Sequence, residues 1–95
     1  MRFDIRLVAE AEEDFRTLPA AVRATVRDAF ETYLRSEPTR LSRSRIKRLR
    51  GLTRPQFRLR VGEYRAYYDV EGGEVTILGI VSKAESEQWL QRTGE

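Results

Sequence analysis

The sequence predicts a single α+β domain: an N-terminal strand, a helical hairpin, an antiparallel three-stranded meander completing a mainly antiparallel sheet, and a short C-terminal helix. Three observations predict it. Apolar and charged residues alternate over "RFDIRL" and again over "FRLRV", the period-2 signature of a half-buried strand. Val22, Val26, Ala29, Phe30, Tyr33 and Leu34 recur at helical spacing. Two glycine-led pairs, Gly62-Glu63 and Gly72-Gly73, punctuate the later strands as hairpin turns. Ninety-five residues fit one domain spanning 1–95, with one modest core and little room for a deep pocket.

Each element follows in order. Phe3, Ile5 and Leu7 point to one side of the first strand. Ala9 to Leu18 reads as a short helix, with Glu10, Glu12, Glu13 and Asp14 placed well for the helix dipole and Phe15 and Leu18 turned inward. Pro19 opens a second helix, which Ser36-Glu37-Pro38 closes. Residues 39–55 form a basic connector anchored by Ile46, Leu49 and Leu52. Phe57–Val61, Tyr64–Val70 and Val75–Val81 are the strands of the meander. Ser82-Lys83-Ala84-Glu85 matches a capping box opening the last helix, with Gly94 past its end.

Composition narrows the chemistry. The chain has no histidine and no cysteine, so disulfides and thiol chemistry are excluded and no zinc site is expected. No stretch approaches ~20 apolar residues, so no membrane span is expected. The N-terminus does not read as a signal peptide, because Asp4 interrupts its apolar run. A cytoplasmic setting and no cofactor are expected. The net charge of +3 hides an asymmetry: Pro38 to Gly62 holds nine basic residues and no acid, while the rest holds nine basic residues and fifteen acids. A local basic block of this kind suits a polyanion or a strongly acidic protein.

The turns set a register. With Gly62-Glu63 as the loop, Val61 faces Tyr64, Leu59 faces Ala66 and Phe57 faces Tyr68 on the core side, while Arg60 faces Arg65 and Arg58 faces Tyr67 on the other. With Gly72-Gly73 as the loop, Asp69 faces Thr76, Tyr67 faces Leu78 and Arg65 faces Ile80. The core face is then Phe57, Leu59, Val61, Ala66, Tyr68, Val70, Val75, Ile77 and Val81. The outer face carries Arg58, Arg60, Arg65 and Tyr67 beside Leu78 and Ile80. Like charges directly opposite cost stability. Guanidinium groups beside a phenol suit a phosphate backbone with a base stacked on the ring. The connector adds Lys47, Arg50 and Arg54 as candidate RNA contacts. Leu78, Ile80 and Trp89 are candidate partner contacts. Because Arg65 lies off the core face, its removal is expected to spare the fold.

The string "LRGLTRPQFRLRVGEYRAYYDVEGGEVTILGIV", with "LPAAVRATVRDAF" before it, resembles the RelE/ParE superfamily of bacterial toxins from type II toxin–antitoxin systems, over essentially the whole chain. The resemblance implies a RelE-like fold and a cognate antitoxin that covers the active face. It implies one of two activities: RelE-like members enter the ribosome and cleave mRNA, whereas ParE-like members poison DNA gyrase. A toxin-like module that has lost catalysis and mainly binds its antitoxin is a third reading. For a nuclease, the resemblance makes Arg58 and Arg60 substrate contacts, with Arg60 also close to the chemistry. It makes Arg65 a phosphate-stabilising arginine and Lys83 a proton-transfer group after the last strand. The chain departs from the pattern at Lys83-Ala84, where many nucleases carry a His-Arg or Lys-Arg pair, and at Trp89-Leu90, where many carry a tyrosine. Arginine does not serve as a proton donor or acceptor, so the proton-transfer candidates are Lys83, Glu85, Tyr67 and Asp69.

Overall fold

A computed structural model describes residues 2–95. In it β1 (Asp4–Leu7) leads into α1 (Ala9–Arg16) and α2 (Ala20–Ala29), whose last turn, Phe30–Leu34, widens into a π-helical turn. Then come β2 (Ile46–Arg48), β3 (Phe57–Val61), β4 (Tyr64–Glu71) and β5 (Glu74–Ser82). A 3₁₀ turn, Lys83–Glu85, opens α3 (Ser86–Thr93). The sheet has five strands in the order β1-β5-β4-β3-β2. β1 lies parallel to β5 and every other pair is antiparallel.

The connector hides a strand that its composition does not announce. Ile46, Lys47 and Arg48 pair with Leu59, Arg58 and Phe57. Three residues with two basic side chains carry too little alternation to stand out from the surrounding arginines.

The core lies between the inner sheet face and the helical hairpin. Leu18, Val26, Ala29, Phe30 and Leu34 from the helices meet Ile46, Phe57, Leu59, Val61, Ala66, Tyr68, Val75 and Ile77 from the sheet. Pro19 caps the start of α2. At the other end of the helical hairpin the Tyr68 hydroxyl donates to the Pro38 carbonyl at 2.6 Å, which ties the helix exit to the central strand. Gly62 has φ +58° while Glu63 stays at negative φ, the conformation that requires glycine first in a two-residue hairpin turn.

The β3–β4 register is the one read from the turn, with Arg60 opposite Arg65 and Arg58 opposite Tyr67. The β4–β5 register holds from the Gly72-Gly73 turn as far as Tyr68 opposite Ile77, then slips at a β-bulge between Tyr67 and Tyr68. Leu78 is the extra residue. Tyr67 therefore faces Gly79, Ala66 faces Ile80 and Arg65 faces Val81. This corrects two expected pairs, Tyr67 with Leu78 and Arg65 with Ile80. It also exchanges two side chains: Ile80 enters the core and Val81 is left half-buried on the outer face.

The reason for the slip is on the outer face. α3 returns across it and lays Trp89 flat on Tyr67, with ring centroids 4.8 Å apart and planes at 11°. The indole also covers Gly79, where a β-carbon would come within 2.5 Å of it. The bulge turns the one residue without a side chain toward the tryptophan.

Candidate functional site

α3 divides the outer face. On the hairpin side lie Lys47, Arg58, Arg60, Arg65 and Val81, since Lys47 faces Arg58 and Arg60 faces Arg65 across the ladders. On the other side the charges are mixed and paired: Arg6 with Glu74 at 3.3 Å and Arg54 with Asp69 at 2.7 Å. Arg54, read from sequence as an RNA contact, is thus tied to Asp69, which holds its guanidinium above the usual arginine range. Arg50 is exposed in the turn that follows β2.

Arg65 is the unusual member of the basic half. It is 6% exposed, and its Nη1 donates to the carbonyls of Gly62 and Tyr64 at 3.2 and 3.1 Å. No carboxylate among the described residues pairs with it. Burial, then the charges of Arg58 and Arg60, push its pKa below the usual arginine value. The Nε of neighbouring Arg58 is buried with no hydrogen-bond partner. A buried guanidinium held by neutral carbonyls among like charges is a costly arrangement that an anion would relieve. The burial also corrects the expectation that Arg65 can be removed without cost to the fold.

Lys83 stands at the rim of this half-face. Its backbone N–H donates to the Glu63 carbonyl at 2.7 Å, so the end of β5 is pinned to the same turn that holds Arg65, and its side chain is exposed. The other proton-transfer candidates are occupied. Glu85 bonds the Ser82 hydroxyl at 3.0 Å while its N–H donates to Ser82 Oγ at 3.3 Å, an engaged cap. Asp69 accepts from Arg54 Nε at 2.7 Å and from the Gln56 N–H at 2.8 Å. Tyr67 is sealed beneath Trp89, so its ring is not a platform for a base.

The partner candidates separate in the same way. Leu78 is half-buried at the bulge, Ile80 lies in the core and Trp89 is buried on the sheet, its Nε1 donating to a Glu10 carboxylate oxygen at 3.0 Å. Leu41, at 57% exposure, is the one large exposed apolar side chain among the described residues.

Asp14 was not legible as anything but a favourable charge on α1. Its Oδ2 accepts the Ile80 N–H at 3.0 Å, which satisfies the edge of β5 beyond the reach of β1. With Glu10, Glu85, Tyr64 and Trp89 it lines an acidic groove of about 610 Å³ between α1, β5 and α3. Burial is the main cause that raises its pKa above the ordinary 3.8. A carboxyl raised on folding holds its proton longer in the native state, so it costs stability as pH rises from 3.8 through the folded value. Asn can still accept the Ile80 N–H. Asp14→Asn is therefore expected to melt at or above the wild-type temperature at pH 7, with its advantage shrinking as pH is lowered toward 3.8. Thermal melts across that range check it, and a variant that melts lower at pH 7 would show that the carboxylate charge itself is needed.

No helix among the described residues is long and apolar enough to cross a membrane. No cluster of three or more His, Cys, Asp or Glu able to hold a metal occurs among them.

Comparison with known proteins fits this geometry. The family model described as the ParE toxin of the type II toxin–antitoxin system parDE matches residues 5–87. Among solved structures, the RelBE2 toxin–antitoxin complex of Mycobacterium tuberculosis is similar at 28% identity and a TM-score of 0.72, covering 86% of this chain and 99% of that one. A double arginine-to-alanine mutant of Escherichia coli RelE in the free state shares the fold at 21% identity and a TM-score of 0.71, covering 98% and 99% of the two chains. The archaeal RelE–RelB complex of Pyrococcus horikoshii does so at 22% identity and 0.70, covering 87% and 97%. No curated protein matches. With a family model matched along most of its length and a RelE-like sheet bearing the arginine half-face, the chain belongs to the RelE/ParE superfamily of type II toxin–antitoxin toxins.

Proposed function

We propose that this toxin cleaves ribosome-bound mRNA in the cytoplasm, and that a cognate antitoxin silences it by covering the arginine half-face. The observation that carries the reading is Arg65, a buried cation with no ion-pair partner among the described residues, flanked by Arg58 and Arg60. The reaction is an attack of the ribose 2′-oxygen on the adjacent phosphorus. The P–O5′ bond breaks as the new P–O2′ bond forms, leaving a 2′,3′-cyclic phosphate and a 5′-hydroxyl. Arg65 and Arg60 stabilise the charge that gathers on the phosphoryl oxygens, and Arg58 and Lys47 hold the strand. Lys83 as an ammonium protonates the leaving 5′-oxygen, and the 2′-hydroxyl proton passes to water. With Tyr67 sealed, recognition runs through phosphates rather than base stacking.

Arg60 is exposed, so its truncation tests the chemistry without disturbing the core. Arg60→Ala should lower cleavage roughly 10²–10³-fold, with a melting temperature no lower than wild type because a repulsion with Arg65 is removed. Breaks are mapped by primer extension in a translating ribosome system, with Lys83→Ala run beside it. Intact mRNA from a well-folded wild-type protein overturns the nuclease reading.

Two observations favour the other activity. Trp89 and α3 close the middle of the outer face, and the matched family model is that of ParE toxins. A gyrase-directed toxin needs no proton-transfer group. Intact mRNA together with loss of gyrase supercoiling would establish that reading.

A further inference from the structure

The arginines of the connector are not all on the half-face just described. β2 is the sheet edge, and its side chains alternate: Lys47 faces Arg58 on the outer side, while Ile46 and Arg48 face Leu59 and Phe57 on the helical side. Arg48 lies over the Phe57 ring, 5.0 Å from its centroid. Arg45 lies over the Tyr33 ring at 5.2 Å, and its Nη1 reaches the Arg60 carbonyl at 3.4 Å. The π-helical turn at Phe30–Leu34 carries that tyrosine.

The loop before β2 is built rather than loose. The Ser42 N–H donates to the Ile46 carbonyl at 3.0 Å, and Ser42 Oγ accepts the N–H groups of Arg45 and Ile46 at 3.1 and 3.3 Å. Arg43 is exposed at the tip of this turn. A groove of about 440 Å³ runs alongside, between Tyr33, Arg40, Arg45 and Ile46. Arg40 pairs with Glu37 at 3.2 Å, whereas Arg43, Arg45 and Arg48 form no ion pair among the described residues.

We propose that Arg43, Arg45 and Arg48 form a second polyanion surface, on the helical side of the β2 edge, which grips the phosphate backbone of a nucleic-acid double helix. Three features select that occupant. The guanidiniums of Arg45 and Arg48 are pre-placed on aromatic faces and, like that of Arg43, have no ion-pair partner among the described residues, the arrangement that suits phosphate oxygens. The stretch carries no acid that would compete for them. No aromatic side chain is exposed among the described residues, and Tyr33 and Phe57 are already covered by arginine. Single-strand binders rely on free rings for base stacking, whereas a surface of cations alone reads backbone geometry, which a duplex presents regularly. The surface is separate from the proposed cleavage site and does not depend on cleavage.

The test is fluorescence anisotropy of the full chain with a labelled RNA duplex of ~20 base pairs, from about 50 to 300 mM salt. The variant Arg43→Gln/Arg45→Gln/Arg48→Gln removes the charges and keeps polar side chains at all three positions. It should bind at least about tenfold more weakly at 100 mM salt, with a slope of log affinity against log salt shallower by about 2 to 3. The outer-face pair Arg58→Gln/Arg60→Gln should lose less than the triple variant, and Arg6→Gln/Arg16→Gln, which lies away from both surfaces, less than about threefold. A DNA duplex run in parallel distinguishes the source: tighter RNA binding marks an A-form helix, and equal binding marks shared phosphate chemistry, both supporting the surface. An unchanged slope in the triple variant overturns the proposal. So does a larger loss in the outer-face pair, or a poly-glutamate peptide of equal charge binding as tightly as the duplex. Circular dichroism of each variant keeps misfolding apart from lost binding.

Discussion

Replacing Tyr68 with aspartate unfolds the protein. Tyr68 is fully buried, stacks on Phe57 with centroids 5.5 Å apart, and ties the central strand to the helix exit through the Pro38 carbonyl. Losing the ring alone costs roughly 3–5 kcal/mol, and a buried carboxyl without a partner adds several more. Together these match or exceed much of a small domain's total stability of about 5–15 kcal/mol. Circular dichroism should show no cooperative melt. Tyr68→Phe isolates the hydroxyl: it keeps the stack, loses one hydrogen bond, and should cost about 1 kcal/mol. A soluble Tyr68→Asp protein melting within a few degrees of wild type would mean the side chain does not face the core.

The second large effect is expected at Gly79. Its conformation is ordinary, so what glycine supplies here is room. A β-carbon would sit 2.5 to 2.8 Å from three atoms of the Trp89 indole, a rigid group that cannot bend aside as a lysine tip can. Gly79→Val therefore lifts Trp89 off Tyr67 and breaks its bond to Glu10. Overpacking of this kind costs about 1–3 kcal/mol. Trp89 is the only tryptophan, so its emission reports the event directly and should shift to the red as the ring meets water. Unchanged emission and stability would show that the stack is not what holds α3 down.

Gly79 is also where the sequence reading parts from the structure. The β3–β4 register followed from a glycine at the first turn position and strict alternation on both strands, and the ladder obeys it. "TILGIV" was read with the same alternation. An isolated glycine in a strand signals a bulge or a close approach, and here it is both. Local patterning could not supply the other half of the cause, because Trp89 arrives from the last helix. The burial of Arg65 was not legible for a different reason. Alternation placed it correctly on the outer face, but its burial comes from the guanidinium folding back onto the carbonyls of Gly62 and Tyr64, which no periodicity reports. Tyr67 was placed on the correct face too, and was expected to be open because nothing in its own strand says that α3 covers it. The proton-transfer candidates narrowed from four to Lys83 only once the bonds of Glu85 and Asp69 and the burial of Tyr67 under Trp89 were in view.

The pairing of β1 with β5 carries a consequence for how the toxin comes into being. The first strand of the sheet in chain order lies in register with the fifth, Asp4 beside Glu74. Contacts that join distant parts of a chain form late, because a long loop must close before they are rewarded. The meander from β3 to β5 closes through short turns, but the sheet edge and α1, which satisfies β5 through Asp14, wait for both ends. During synthesis the N-terminal strand has no partner until β5 has left the ribosomal exit tunnel. Until β5 is in place neither the β1 ladder nor the bond from Asp14 to Ile80 can form, so this edge of the sheet is completed last and the meander serves as its template.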